Sequence, residues 1–108
     1  MQYDDNNVFA KILRGDLSTK KVFENDDLLC FNDLNPVSRI HVLVITKGKY
    51  VDYNDFVKNA PADVVFRFFK IIPDIAQVLG IKEYRIVSNC GESAGQIIFH
   101  FHVHLIAK

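Results

Sequence analysis

His100-Phe101-His102-Val103-His104-Leu105-Ile106 decides how this chain folds. Histidine and apolar residues alternate strictly. Period two is the strand period, so His100, His102 and His104 share one face while Phe101, Val103 and Leu105 share the other. The apolar face fits a core. The histidine face is then a site or a costly accident. Three of the chain's four histidines lie here, so composition alone did not put them there.

Working outward, Asn89-Cys90-Gly91-Glu92-Ser93-Ala94-Gly95-Gln96 is a small-residue loop, preceded by a short strand at Tyr84 to Ser88. A long helix is expected from Pro61 to Gly80, with Pro at its first turn, Asp63 at its positive end and a kink at Pro73. Its apolar face is too broad for one sheet, which predicts a second buried side such as a subunit contact. Ile40-His41-Val42-Leu43-Val44-Ile45 is rich in β-branched residues and reads as a central strand buried on both faces. The connection from Thr46 to Asn59 has room for a helical turn. Lys20 to Glu24 and Leu28 to Phe31 flank the turn residues Asn25-Asp26-Asp27 and read as a hairpin. Asn6 or Asn7 can cap a short helix with Val8, Phe9, Ile12 and Leu13 on its buried side and Gly15 past its end. The sum is an α+β domain spanning residues 1–108, with a five-stranded, mostly antiparallel sheet and two helices.

Composition bounds the function. At 108 residues, 49% hydrophobic and 24% charged, the chain is an ordinary globular domain. Its formal net charge of zero argues against nucleic-acid or membrane-surface binding, which favour a basic excess. Cys30 and Cys90 lack CxxC spacing, so neither a disulfide framework nor a cysteine zinc site is indicated. The polar, acidic start from Met1 to Asn7 is no signal peptide, and no apolar run is long enough to span a bilayer. A reduced, cytoplasmic setting is expected.

Three histidines on one strand face have three readings. As a metal site they fit poorly. Same-face neighbours lie about 6.6 Å apart, so His100 and His104 are about 13 Å apart at Cα. Zinc–nitrogen bonds of about 2 Å do not gather all three. Two of them with His41 would remain, but the strand itself carries no acidic residue to complete the set. As a catalytic array they suit covalent chemistry, with His102 best placed to attack phosphorus and its neighbours orienting it or moving protons. Gly91 and Gly95 would let backbone N–H groups approach phosphate oxygens. The third reading is a packed strand without chemistry.

The seven-residue pattern resembles the signature of the histidine triad (HIT) superfamily. Phe9-Ala10-Lys11-Ile12, Phe31-Asn32-Asp33-Leu34-Asn35-Pro36, His41-Val42-Leu43-Val44-Ile45 and Asn89 to Gln96 follow the order and spacing of its Hint branch. The resemblance implies a HIT-like fold and a homodimer whose sheets join into one. It implies a purine nucleotide as ligand, and hydrolysis of nucleoside 5′-phosphoramidates or acyl-adenylates through a nucleotidyl-histidine, without a metal or other cofactor. By matching positions, His102 would be the nucleophile and His104 the phosphate contact. His100 and His41 would hold the array in place. Asp33 would bind the ribose hydroxyls, with Asn32 beside it at the sugar edge. Phe9, Phe31, Leu34 and Leu43 would line the base pocket, and Asn89, Gly95 and Gln96 would shape the phosphate and ribose side. Ordinary roles stand beside these: Asp33 as a turn residue, Phe9, Phe31 and Leu43 as core, His41 as a hydrogen-bonded core histidine.

Three departures matter. Ile97 stands where relatives usually place a polar residue facing the phosphate or leaving group, and isoleucine donates nothing. Lys49 replaces a histidine, and the early cysteine pair of zinc-binding bacterial members is absent. A catalytic histidine of this kind predicts a pH–rate break near the ordinary value of about 6.5.

Overall fold

The computed structural model describes residues Met1–Lys108. Its strands are β1 (Lys21–Glu24), β2 (Leu28–Asn32), β3 (Ile40–Thr46), β4 (Arg85–Val87) and β5 (His102–Ala107). They form one sheet in the order β1-β2-β3-β5-β4, and every neighbouring pair is antiparallel. The apolar run around Val42 therefore becomes the middle strand. The last strand of the chain inserts between β3 and β4, which puts the histidine strand at the centre rather than at an edge.

The alternation expected from sequence separates two cores. Leu28 and Cys30, Val42 and Val44, and Phe101, Val103 and Leu105 pack on one face against Phe56, Phe68, Ile72 and Ile75. Phe101 stacks on Phe56 at 4.8 Å between ring centroids. Each such buried side chain contributes about 1.5–3 kcal/mol. On the opposite face Leu29, Phe31, Leu43 and Ile45 pack with Phe9. His102 and His104 lie on this second face. The register sets Ile45 opposite His102 and Leu43 opposite His104, and residues directly opposed in an antiparallel pair share a face.

The helices are α1 (Val8–Leu13), α2 (Tyr53–Asn59), α3 (Ala62–Lys70) and α4 (Ile72–Leu79). Two helices were expected from the sequence; four short ones form. The turn after β3 becomes α2, capped by Asp52, whose carboxylate accepts from the Asp55 N–H. The long helix divides at Ile71. Pro73 offers no N–H to the preceding turn and its ring crowds the carbonyl four residues back, so α3 stops and α4 starts afresh with proline in its first turn. Asn7 caps α1 by accepting from the Ala10 N–H at 2.9 Å, and Gly15 follows it at φ +87°. Phe9 and Ala10 are the buried residues of α1, while Val8, expected inside, faces outward.

His100 also departs from expectation. The ladder of β5 begins at His102, and the segment before it bonds elsewhere: the Phe101 N–H donates to Tyr50 O. No helix is long and apolar enough to cross a membrane.

Candidate active site

The histidine face works as two coupled pairs, and hydrogen bonds to groups of known polarity assign every proton. A carbonyl only accepts. His102 therefore carries its proton on Nδ1, which donates to His100 O at 2.7 Å. Its Nε2 is left with a free lone pair. That atom has no hydrogen-bond partner in the chain, and no fully sequestered side-chain nitrogen lacks one, so Nε2 reaches solvent although the residue is only 9% exposed. The Phe9 ring stands edge-on at 5.0 Å. Burial pushes the His102 pKa below the ordinary value; the hydrogen bond to His100 O and the Asp33 charge oppose this.

His100 is fully buried and is held at both nitrogens. Nε2–H donates to Thr46 O at 2.6 Å, which leaves Nδ1 to accept from the Tyr3 hydroxyl, also at 2.6 Å. Burial pushes its pKa down to about 4. Its contact with His102 is made by the peptide carbonyl, while its ring bonds to Thr46 and Tyr3.

The second pair starts from the backbone. The Val37 N–H, just past Pro36, donates to His41 Nδ1 at 3.1 Å. A peptide N–H only donates, so His41 carries its proton on Nε2. That proton faces His104 Nδ1 at 2.9 Å, with Asp33 Oδ2 3.3 Å from the same nitrogen. His104 then accepts on Nδ1 and presents Nε2–H outward. Its pKa falls to about 4 through burial first, and through the neighbouring His102 and His41. The His102 and His104 rings lie 5.2 Å apart. Side by side they offer one lone pair and one N–H. An electrophile flanked by an anionic oxygen fits both.

Asp33 serves its turn and also faces the second histidine pair. Oδ1 caps the turn by accepting from the Asn35 N–H at 2.8 Å, and Oδ2 faces His41. Phe9, Phe31 and Leu43 are buried beneath the histidines as a continuous apolar floor. Leu34 is 92% exposed and Ile97 86% exposed, and Asn32 also faces solvent. These three lie outside the packed floor.

The glycine loop differs from expectation. Gly91 and Gly95 both adopt φ +96°, a conformation that favours glycine. Yet the loop's own amides are engaged internally. Ala94 and Gln96 N–H donate to Gly91 O, Gly95 N–H to Glu92 O, and Gly91 N–H to the Gln96 side chain at 2.8 Å. Gln96 is buried, and its amide also donates to Val51 O and Ile98 O. Asn89 donates to Ala94 O. Asn89 and Gln96 therefore brace the loop from within. The backbone N–H groups of Ile97, Ile98, Phe99 and His100, immediately before β5, form no hydrogen bond within the chain. They are the unengaged amide donors of this segment.

Asp33, His41 and His104 place one ligand atom each within 4.8 Å of one another. The acid that the strand lacks thus comes from the turn after β2. The donor set does not suit a metal, however. Coordination at His41 Nε2 requires moving its proton to Nδ1, where the Val37 N–H already points.

Sequence reasoning missed Tyr3, Thr46 and the Val37 amide. No residue-type signal marks them: Tyr3 and Thr46 meet His100 from far along the chain, and the Val37 group is a backbone N–H.

Comparison with known proteins follows this geometry. The HIT domain family matches residues 14–108. A HIT-like protein of Azospirillum brasilense is 47% identical over 107 residues, covering 97% of this chain and 88% of that one. Adenylylsulfatase HINT3 of Arabidopsis thaliana is 35% identical over 101 residues, covering 94% of this chain and 51% of that protein. The structure of a HIT family hydrolase from Clostridium thermocellum superposes with a TM-score of 0.88 at 33% identity, covering 97% of this chain and 92% of its own. Alike in sequence and in fold over nearly its whole length, the chain belongs to the HIT domain family.

Proposed function

We propose that this chain hydrolyses purine nucleoside 5′-phosphate derivatives through a nucleotidyl-histidine intermediate. The observation that carries the reading is the state of His102: uncharged at neutral pH, its proton held on Nδ1 by a carbonyl, its Nε2 lone pair open to solvent. Such an imidazole is a poised nucleophile. Nε2 attacks the α-phosphorus, the bond from phosphorus to the leaving group breaks, and that group takes the bonding pair. An amine leaving from a phosphoramidate gains a proton from solvent; a carboxylate or sulfate needs none. Water then attacks phosphorus, the P–Nε2 bond breaks and returns its electrons to His102, and the water proton passes to solvent. The nucleoside monophosphate is released.

In this reading His104 Nε2–H donates to a non-bridging oxygen, and the free amides from Ile97 to His100 add neutral donors where charge builds. Ile97 takes part in this scheme through its N–H rather than its side chain. The floor of Phe9, Phe31 and Leu43 suits a purine, and Asp33 retains lone pairs for ribose hydroxyls. Leu34 and Asn32 would close over the ligand from the rim. The relative named as an adenylylsulfatase extends the substrate panel to adenylylsulfate.

A homodimer belongs to this proposal. Phe66 on α3, Val78 on α4 and Ile86 on the edge strand β4 are exposed apolar residues, and pairing β4 with its copy would continue the sheet. A cytoplasmic setting, and action as a single domain, complete the proposal.

Incubation with adenosine 5′-phosphoramidate, an acyl-adenylate and adenylylsulfate, followed by alkaline quench and peptide mass spectrometry, tests the reading. An adenylyl group on His102 is expected. Turnover of all three by His102→Ala at the wild-type rate would refute it. The exposed Ile97, which offers no side-chain donor to a leaving group, favours a second reading, a nucleotide-binding protein without turnover. AMP binding with no cleavage of any of the three would select that reading.

A further inference from the structure

Tyr3 lies outside the segment that the family matches, yet its hydroxyl meets His100 across 97 residues of sequence. We infer that Tyr3 is a positioning residue for His102: by donating to His100 Nδ1 it holds the peptide whose carbonyl keeps the His102 proton on Nδ1. This rests on the reading of His102 as nucleophile.

The His100 carbonyl precedes the ladder of β5 and shares its planar peptide group with the Phe101 N–H, which donates to Tyr50 O at 2.6 Å. That backbone bond is one anchor of the carbonyl. The ring supplies the others, through two bonds of 2.6 Å: Nε2–H to Thr46 O, and Nδ1 from the Tyr3 hydroxyl. The two bonds demand opposite polarity at the two nitrogens, so together they allow one tautomer and one ring orientation. Without the hydroxyl, Nδ1 becomes a buried acceptor with no donor. The Thr46 carbonyl still holds Nε2–H, but the ring shifts to bring Nδ1 to a donor, and the carbonyl facing His102 shifts with it. A second tautomer at His102, with the proton on Nε2, removes the nucleophilic lone pair.

The rest of the amino-terminal segment keeps Tyr3 in place. The Tyr3 ring stands edge-on to His100 at 5.6 Å, the Lys49 ammonium lies 6.0 Å from the Tyr3 ring centroid, and Lys49 pairs with Asp5 at 2.7 Å. Burial raises the phenol pKa, so the hydroxyl remains a donor throughout the working pH range. These contacts hold the aromatic body; only the oxygen supplies the polarity.

Tyr3→Phe removes that oxygen and keeps the ring. Expected with adenosine 5′-phosphoramidate is a fall in kcat of about tenfold, the order of one lost hydrogen bond, with KM changed less than about twofold. Asp5→Asn removes one exposed ion pair of the segment, which contributes little, keeps the ring contacts and the hydroxyl of Tyr3, and should leave kcat unchanged. Two-bond proton–nitrogen NMR on 15N-histidine-labelled protein reads the tautomers directly: Nε2–H at His100 and Nδ1–H at His102 in the unaltered protein, with a mixed signal at His102 after Tyr3→Phe. The inference is overturned by a His100 protonated at Nδ1 in the unaltered protein, by an unchanged His102 tautomer in Tyr3→Phe, or by Asp5→Asn matching the loss. The spectra of the unaltered protein decide even if Tyr3→Phe does not fold. If no substrate is turned over, the function fails while the tautomers still judge Tyr3.

Discussion

Acid should weaken this fold through His100, and the amount follows from its burial. The ring is fully buried and uncharged, with a pKa pushed down to about 4, whereas the unfolded chain takes up that proton near the ordinary value of 6.5. Between those values the unfolded state binds one more proton than the native state, so stability rises with pH through the window. The contribution is complete above about pH 7 and is lost as pH falls toward 4. A shift of about 2.5 units at about 1.4 kcal/mol per unit corresponds to about 3 kcal/mol. Against a typical total of about 5–15 kcal/mol this is a large fraction. The perturbation is His100→Gln, which keeps the peptide carbonyl and cannot titrate. Urea unfolding followed by circular dichroism, at half-unit steps from pH 8 to 4.5, gives stability curves for both proteins. His100→Gln should be less stable at pH 8, because it loses the anchored ring, and its curve should fall less steeply below pH 6.5. His104 titrates in both and cancels in the difference. Parallel curves would mean that His100 takes its proton near 6.5 in the native state, and the assignment of a buried neutral anchor would be refuted.

Other outcomes follow from the same geometry. The acid limb of kcat/KM should break below pH 6.5, not at it, because burial lowers the His102 pKa; a break at or above pH 7 in a full pH–rate profile would contradict the assigned state. This revises downward the break expected from the sequence. His104→Ala removes the outward N–H and should lower kcat/KM by about a hundredfold with little loss of AMP affinity, read by steady-state kinetics and calorimetry. Gln96→Ala strips partners from Gly91 N–H, Val51 O and Ile98 O and should cost about 2–3 kcal/mol in urea unfolding, with proteolysis rising in the loop before β5. Phe101→Ala should cost about 3–5 kcal/mol from the opposite core, measured in the same way.

The site's chemistry depends on a conflict between burial and charge that the histidines resolve by remaining neutral. Close packing on Phe9 and the sheet removes water, which disfavours the imidazolium of His100, His102 and His104. Peptide groups then choose the tautomers: the Val37 N–H at one end and the carbonyls of Thr46 and His100 at the other.

Local sequence determined much of this protein. Alternation from His100 to Ile106 placed Val103 and Leu105 in one core and His102 and His104 on the other face, since side-chain direction in a strand depends only on parity. The Asn7 cap, the hairpin at Asn25 to Asp27 and the central strand around Val42 were equally legible, being set by neighbours a few residues away. The extent of the break at Pro73 and the helix α2 were read less well, because competing local preferences there are settled by packing. Tertiary structure alone decided the rest. It put β5 between β3 and β4, brought His41 and Asp33 to His104, tied Tyr3 to His100, and turned the loop amides around Gly91 inward on Gln96. Which nitrogen of His102 carries its proton follows from one carbonyl's direction. Direction in space is a property of the folded backbone, and no pattern of residue types encodes it.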